Sequence, residues 1–348
     1  MLCALIMAGG KGTRFWPLST EEKPKQFLNL LGKDTMIQMT VKRVERLLPI
    51  ERIFIVTANQ YVQLLKEQLP NLPERNIIIE PVGKNTAPCI ALSAFVIKKY
   101  YEDATIAVLP SDHLIRNEDR FIQILDDAYK FVESKPEAIV TIGMKPDRPE
   151  TGYGYIKCSK EKKEIDDSQI ISVEAFVEKP NIEKAKKYLE SKQYLWNGGM
   201  FIWKADNILN LTKEYLNETY NILSEVAATK EEAFQQVLED KYAEIQGVSV
   251  DYGIMENADD IYVIPSDFGW DDVGNWSSIE RYSKRDKYGN VEGSNNYFYN
   301  SSGNIAITNK KLLLNNIDNL IIVETEDYIL ISPKDREQEI KDAKNLIS

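Results

Sequence analysis

Residues 2–28 read LCALIMAGGKGTRFWPLSTEEKPKQFL, and this stretch decides the fold. The apolar run 2–8 predicts a strand buried on both faces, as in a parallel sheet. It stops at Gly9-Gly10-Lys11-Gly12-Thr13, where glycines permit positive φ and bring backbone N–H groups close to a ligand. Two cations follow: Arg14, and Lys25 between Pro24 and Gln26. Such a turn also serves in many α/β chains simply to turn a corner. The spacing is neither of the common nucleotide fingerprints. Phe15 stands where a third glycine of G-x-G-x-x-G would fall, and no Gly-Lys-Ser/Thr closes a P-loop.

Outward from this loop, helical and strand signals alternate. Asp34 is the expected N-cap of a helix carrying Ile37, Val41, Val44 and Leu48 at helical spacing. Strands are expected at 53–57, 77–79, 105–109 and 138–143, with helices at 61–69, from an N-cap at Thr86 to about residue 101, and at 121–132. This alternation calls for an α/β fold with a Rossmann-like mixed, mostly parallel sheet flanked by helices, and ligands at the carboxyl ends of its strands. Further on, 173–180 and 261–265 read as strands and 196–203 as a turn into a strand. Helices are expected at 205–223 and 230–245, and another from an N-cap at Ser249. Beyond 286 the runs 296–299, 304–307, 317–323 and 328–331 alternate with Asn, Gly and Asp turns before a helix at about 334–347. The expected division is a catalytic domain over 1–285 and a small β-rich C-terminal appendage over 286–348.

The chain of 348 residues is long enough for a large core, and its net charge of −11 argues against nucleic-acid or anionic-membrane partners. Any bound phosphate must then be held by a local basic cluster. Cys3, Cys89 and Cys158 are odd in number and far apart, which suggests neither a disulfide framework nor a zinc site and fits a reducing cytoplasm. No signal peptide or membrane anchor is expected from the short N-terminal apolar run.

Taken in order, the blocks GGKGTRFWPLS and PKQFL, EPVGKNTAP (80–88), PSDH (110–113), PETGYGYI (149–156), VEKP (177–180), WNGGMFIW (196–203), SVDYGIME (249–256) and WDDVG (270–274) resemble the signature segments of the sugar-1-phosphate nucleotidylyltransferase family. The forms of EPVGKNTAP and SVDYGIME are similar to those of the guanylyl-transferring, mannose-specific branch. The resemblance covers essentially the whole expected catalytic domain. It implies transfer of GMP from GTP to α-D-mannose 1-phosphate, with GDP-mannose and pyrophosphate as products and Mg2+ as cofactor. No isomerase domain of the kind found in longer members is expected to follow, and a homodimer is expected. Alternatives are the same fold with another sugar-1-phosphate and nucleotide pair, or a non-catalytic nucleotide-sugar-binding regulatory subunit.

What the resemblance implies for residues is specific. Ala8, Gly9, Gly10, Gly12 and Thr13 would cradle the triphosphate, with Arg14 and Lys25 on the departing pyrophosphate. Glu80, Asn85, Thr86 and Pro88 would form the base loop. Guanine presents N1–H and an amine on one edge, which an acceptor-only carboxylate at Glu80 suits. Asp112 and Asp272 would hold the metal, although an Asp at 112 also serves as an ordinary turn cap. Gly152, Tyr153, Glu178, Asn197 and Asp251 would line the sugar site, with Lys179 on its phosphate. Glu178 and Lys179, as neighbours on an extended segment, should point opposite ways. His113, the single histidine, is left as a supporting group.

Overall fold

The computed structural model describes every residue except Lys11, Ser294 and Ser348. Its strands are β1 (Leu2–Met7), β2 (Ile53–Ala58), β3 (Ile77–Glu80), β4 (Thr105–Pro110), β5 (Leu114–Ile115), β6 (Ile139–Met144), β7 (Tyr155–Ile165), β8 (Ser168–Val177), β9 (Tyr194–Lys204), β10 (Ile261–Ser266), β11 (Trp270–Asp271), β12 (Asn296–Tyr299), β13 (Ile305–Ile307), β14 (Leu312–Asn315), β15 (Leu320–Glu324) and β16 (Ile329–Pro333). The α-helices are α1 (Met36–Val44), α2 (Val62–Gln68), α3 (Thr86–Tyr100), α4 (Glu118–Ser134), α5 (Ile182–Ser191), α6 (Ala205–Tyr215), α7 (Asn217–Ala227), α8 (Glu231–Tyr242), α9 (Trp276–Tyr282) and α10 (Ile340–Lys344). Among the described residues no helix is long and apolar enough to cross a membrane. The chain divides into two compact units. The first comprises Met1–Gly9, Val41–Ser111 and Ile115–Trp270, and the second Gly10–Thr40, Asp112–Leu114 and Asp271–Ser348.

Unit 1 is built on a nine-stranded sheet in the order β3-β2-β1-β4-β9-β6-β10-β8-β7. The half that opens the chain is parallel throughout, with Leu5 opposite both Phe54 and Val108. β9 enters antiparallel between β4 and β6, and β10 runs parallel to β6. The apolar run of β1 is buried as its composition requires, and Cys3 and Leu5 share a core with Ala87, Ile90, Ala94 and Ile97 of α3. α3 has apolar residues on all sides because it lies inside that core.

Several local expectations change. The start of α1 is capped by Thr35, not Asp34: Gln38 N–H donates to Thr35 Oγ1 while Thr35 N–H donates to Gln38 Oε1, a reciprocal box that the T-x-x-Q spacing permits. The cap of α3 is Asn85 rather than Thr86, since Asn85 adopts φ 71° and accepts from the Thr86 N–H. The helix expected over 205–223 breaks at Leu216, whose extended φ of −133° separates α6 from α7. Ser249 Oγ accepts from Tyr252 N–H as an N-cap should, but it opens only a single π-turn, Asp251–Met255. The segment 196–203 lies within β9 instead of opening with a turn, and a register irregularity against β6 falls between Thr141 and Gly143. β7, α5 and β14 were not anticipated, and the expected terminal helix is a 3-10 stretch, Lys334–Glu339, followed by α10.

Unit 2 holds the β-rich residues 296–333. β12 pairs parallel with β14 and β13 parallel with β15, while β16 closes antiparallel on β15. Parallel pairs joined over so few residues make a coil, and buried asparagines link its turns. Asn290 Oδ1 accepts from both the N–H and the Nδ2 of Asn304, whose own Oδ1 accepts from the Leu320 N–H. Ile305, Ile321 and Ile340 pack in one core with Phe15, Trp16, Val273 and Trp276, and the rings of Phe15 and Trp276 meet edge to face at 5.2 Å.

Candidate active site

Within unit 2, four residues far apart in sequence gather around the glycine loop. Gly12 adopts φ 44°, and a Cβ there would stand 2.8 Å from the Lys25 nitrogen, so only glycine lets the loop close on the segment carrying Lys25. Gln26 Nε2 donates to the Gly10 carbonyl at 2.9 Å and ties the same two segments. Thr13 then begins a 3-10 turn, Thr13–Phe15, whose Phe15 N–H donates to the buried Ser19 Oγ. Arg14 is left exposed on this turn. Lys11, inside the expected N–H cradle, lies outside the described residues.

Lys25 is 4 % exposed, yet its ammonium donates to Asp112 Oδ2 at 2.9 Å and to the Asp272 carbonyl. Burial works against ionisation of Asp112, but Lys25 and His113 outweigh it and hold the carboxyl below its usual range. Gly274 locates the remaining two groups, since a Cβ there would meet Asp272 Oδ2 at 2.7 Å and Arg14 Nη1 at 3.2 Å. Asp271 is otherwise engaged, accepting from Arg281 Nη2, the Tyr282 hydroxyl and the Val273 N–H. Val273 itself is fully buried at φ 47°, a strained conformation for a β-branched residue. Asp112 and Asp272 offer hard oxygen donors, the chemistry of a magnesium site. Among the described residues there is no third clustered carboxylate, histidine or cysteine, so phosphates and water would complete the shell.

Within unit 1, the ends of β1 and β3 place Gly9 and Glu80 together: a Cβ on Gly9 would lie 3.5 Å from Glu80 Oε2. Glu80 Oε1 accepts from the Tyr242 hydroxyl at 2.8 Å and from the Lys84 N–H at 3.2 Å. Burial raises the Glu80 pKa, and these two donors partly offset the rise. Tyr242 escaped sequence reasoning because it ends a charged helix 162 residues away. Ala8 donates its N–H to the Val56 carbonyl and Pro88 is buried in the first turn of α3, while Asn85 stays exposed. Thr86 Oγ1 accepts from Val250 N–H at 2.8 Å, which fastens this loop to the segment before Asp251.

A third cluster in unit 1 surrounds Gly154, where a Cβ would stand 2.5 Å from Glu178 Oε2 and 3.4 Å from Asn197 Cβ. Asn197 Nδ2 donates to Asp251 Oδ1 at 2.7 Å, and its Oδ1 accepts from the Gly199 N–H. Burial and then the charge of Glu178 raise the Asp251 pKa. Lys179 does not diverge from Glu178 as expected. Its φ of 41° breaks the extended alternation, and its ammonium pairs with Glu178 Oε1 at 2.7 Å. Gly152 is exposed, its N–H donating to Glu150 Oε1, and Tyr153 packs edge to face on Trp196.

The description "Nucleotidyl transferase" belongs to the family model that matches residues 3–288. The chain is 39% identical over 347 residues to a protein of Salmonella muenchen named mannose-1-phosphate guanylyltransferase, covering 98% of this chain and 72% of that one. It is 37% identical to the protein of the same name from Escherichia coli K12, with 98% and 72% covered. A crystal structure from Thermus thermophilus, described as a mannose-1-phosphate geranyltransferase, superposes with a TM-score of 0.88 at 30% identity, covering 100% of this chain and 99% of that one.

Proposed function

This chain belongs to the nucleotidyl transferase family, and from that premise we propose that it transfers GMP from GTP to α-D-mannose 1-phosphate, giving GDP-mannose and pyrophosphate. The names of its relatives support the sugar phosphate and the guanylyl group. The observation that carries the reading is the gathering of Arg14, Lys25, Asp112 and Asp272 in one unit.

The sugar-phosphate oxygen is already ionised at neutral pH, so the displacement at the α-phosphorus needs no general base. It needs two anions brought together and the charge on the leaving pyrophosphate offset. Arg14 and Lys25 neutralise that charge. Asp112 and Asp272 would hold Mg2+, which when bound would offset phosphate charge as a Lewis acid. Lys25 pairs with Asp112 at 2.9 Å, so its ammonium lies beside the carboxylate that would hold the metal and can offset charge on the pyrophosphate. Gly9, Gly10 and Gly12 let the loop approach the triphosphate, and Glu80 with the loop through Asn85, Thr86 and Pro88 receives guanine. In the sugar site, Glu178 and Asp251 accept from hydroxyls beside Gly152 and Tyr153. Asn197, with its acceptor and one donor already committed, orients Asp251 more than it binds sugar. Lys179 holds the phosphate of the sugar. We further propose a soluble cytoplasmic homodimer acting on small molecules, with 1–285 catalytic and 286–348 an appendage.

The test is pyrophosphate release from GTP with mannose 1-phosphate, with and without magnesium. Release that requires both substrates and the metal is expected, and release equal with ATP or with glucose 1-phosphate would contradict the assignment. In the same assay Arg14→Ala should lower kcat on the order of a hundredfold or more. An unchanged kcat with only a raised KM for GTP would remove Arg14 from its role.

A further inference from the structure

Glu80 is held by a wall of the fold that none of the signature segments includes. Tyr242, fully buried at the end of α8, donates to Oε1 from a position its helix fixes. The residues just after it grip the base loop at several points. Lys84 Nζ donates to the Ala243 carbonyl at 2.7 Å, Val248 N–H donates to the Lys84 carbonyl, and Ala87 N–H donates to the Val248 carbonyl. Gly247 lies so close that a Cβ there would stand 3.1 Å from the Lys84 carbonyl oxygen. Oε1 is thus supplied with two donors. Oε2 accepts from no described residue and faces Gly9, just past the carboxyl end of β1.

We propose that Tyr242 is the positioning residue for base selection: by occupying Oε1 it fixes the Glu80 rotamer and leaves Oε2 as an acceptor aimed at a purine that carries N–H donors. This rests on the reading of Glu80 as the guanine receptor. A phenol in that place also fixes the polarity of the site. Burial, with Cys89 and Glu80 nearby, drives the Tyr242 pKa far up, so the phenol keeps its proton as the donor to Oε1. Guanine matches an outward acceptor through N1–H and its exocyclic amine. Adenine presents an acceptor at N1 and meets repulsion there. Tyr242 touches no substrate atom and acts only through Glu80.

The experiment compares kcat and KM for GTP and for ATP, at saturating mannose 1-phosphate and magnesium, in the full chain and in Glu80→Gln and Tyr242→Phe. Loss of a hydrogen bond to a charged group should raise the Tyr242→Phe KM for GTP about tenfold. Its kcat should stay within about twofold, and the GTP-over-ATP ratio of kcat/KM should fall toward that of Glu80→Gln. A fall in kcat with the ratio unchanged would mark a merely structural tyrosine. Should Tyr242→Phe fail to fold, trifluorotyrosine at position 242 keeps the hydroxyl and alters its donor strength. An unmoved GTP KM there overturns the proposal. The two readings fail separately. If Glu80→Gln relaxes selection and Tyr242→Phe does not, Tyr242 loses its role alone. If Glu80→Gln leaves selection intact, the guanine reading of Glu80 falls and this inference with it.

Discussion

Asp251 carries an electrostatic penalty for its place beside Glu178. Burial first and then that neighbouring charge raise its pKa, so ionised Asp251 is less stable in the fold than in the unfolded chain. The sign follows from linkage. The penalty is fully present above the folded pKa and fades as pH falls through it toward the unfolded value. Asp251→Asn keeps an oxygen for Asn197 Nδ2 and removes the charge, so its melting temperature should exceed the parent's by a few degrees at about pH 8. The difference should shrink as the pH is lowered into the carboxylate range, and the KM for mannose 1-phosphate should rise throughout. A variant that melts lower at about pH 8 would show that Lys179 more than compensates the repulsion. At this scale the sequence was legible in residue type and blind to partners. The spacing of Asp112 and Asp272 carried no sign that Lys25 would touch both residues. Nor did an extended reading of residues 177–180 anticipate that a left-handed backbone would fold Lys179 back onto Glu178.

Elements were legible where one pattern dominates. β1, β2, β4 and β6 are continuous apolar runs buried on both faces, and all appear within a residue or two of expectation. β7 was missed because KCSKEKKEI has the composition of a solvated loop. It lies at the sheet margin, paired with β8 and briefly with β9, where lysine-rich strands resist edge-to-edge association. The asparagine-linked coil of unit 2 was visible only as short strands between turns, since the residues that join its turns, Asn290 and Asn304, read as ordinary turn formers. Ile321, fully buried in β15, packs in the core that holds Phe15 and Trp276. Ile321→Ala should therefore cost roughly 2–5 kcal/mol in denaturant unfolding. It should also lower kcat, because Phe15 anchors the turn that carries Arg14. Full activity with that loss of stability would separate the coil from the turn that carries Arg14.

For the whole molecule, an overall charge of −11 would repel a triphosphate in the absence of local compensation. The answer is spatial concentration: Lys25 is buried with Asp112, and Arg14 is set beside Asp272, all in unit 2. That unit is assembled from Gly10–Thr40, Asp112–Leu114 and Asp271–Ser348. Arg14 and Lys25 are translated before the isoleucines that shelter Phe15 and Trp16, and most of unit 1 is made between them. The nascent chain therefore carries this aromatic pair without those isoleucines while unit 1 is being made. A ribosome stalled upstream of Ile305 would display a polypeptide whose nine-stranded sheet is complete while the shelter of Phe15 and Trp16 still lacks Ile305, Ile321 and Ile340.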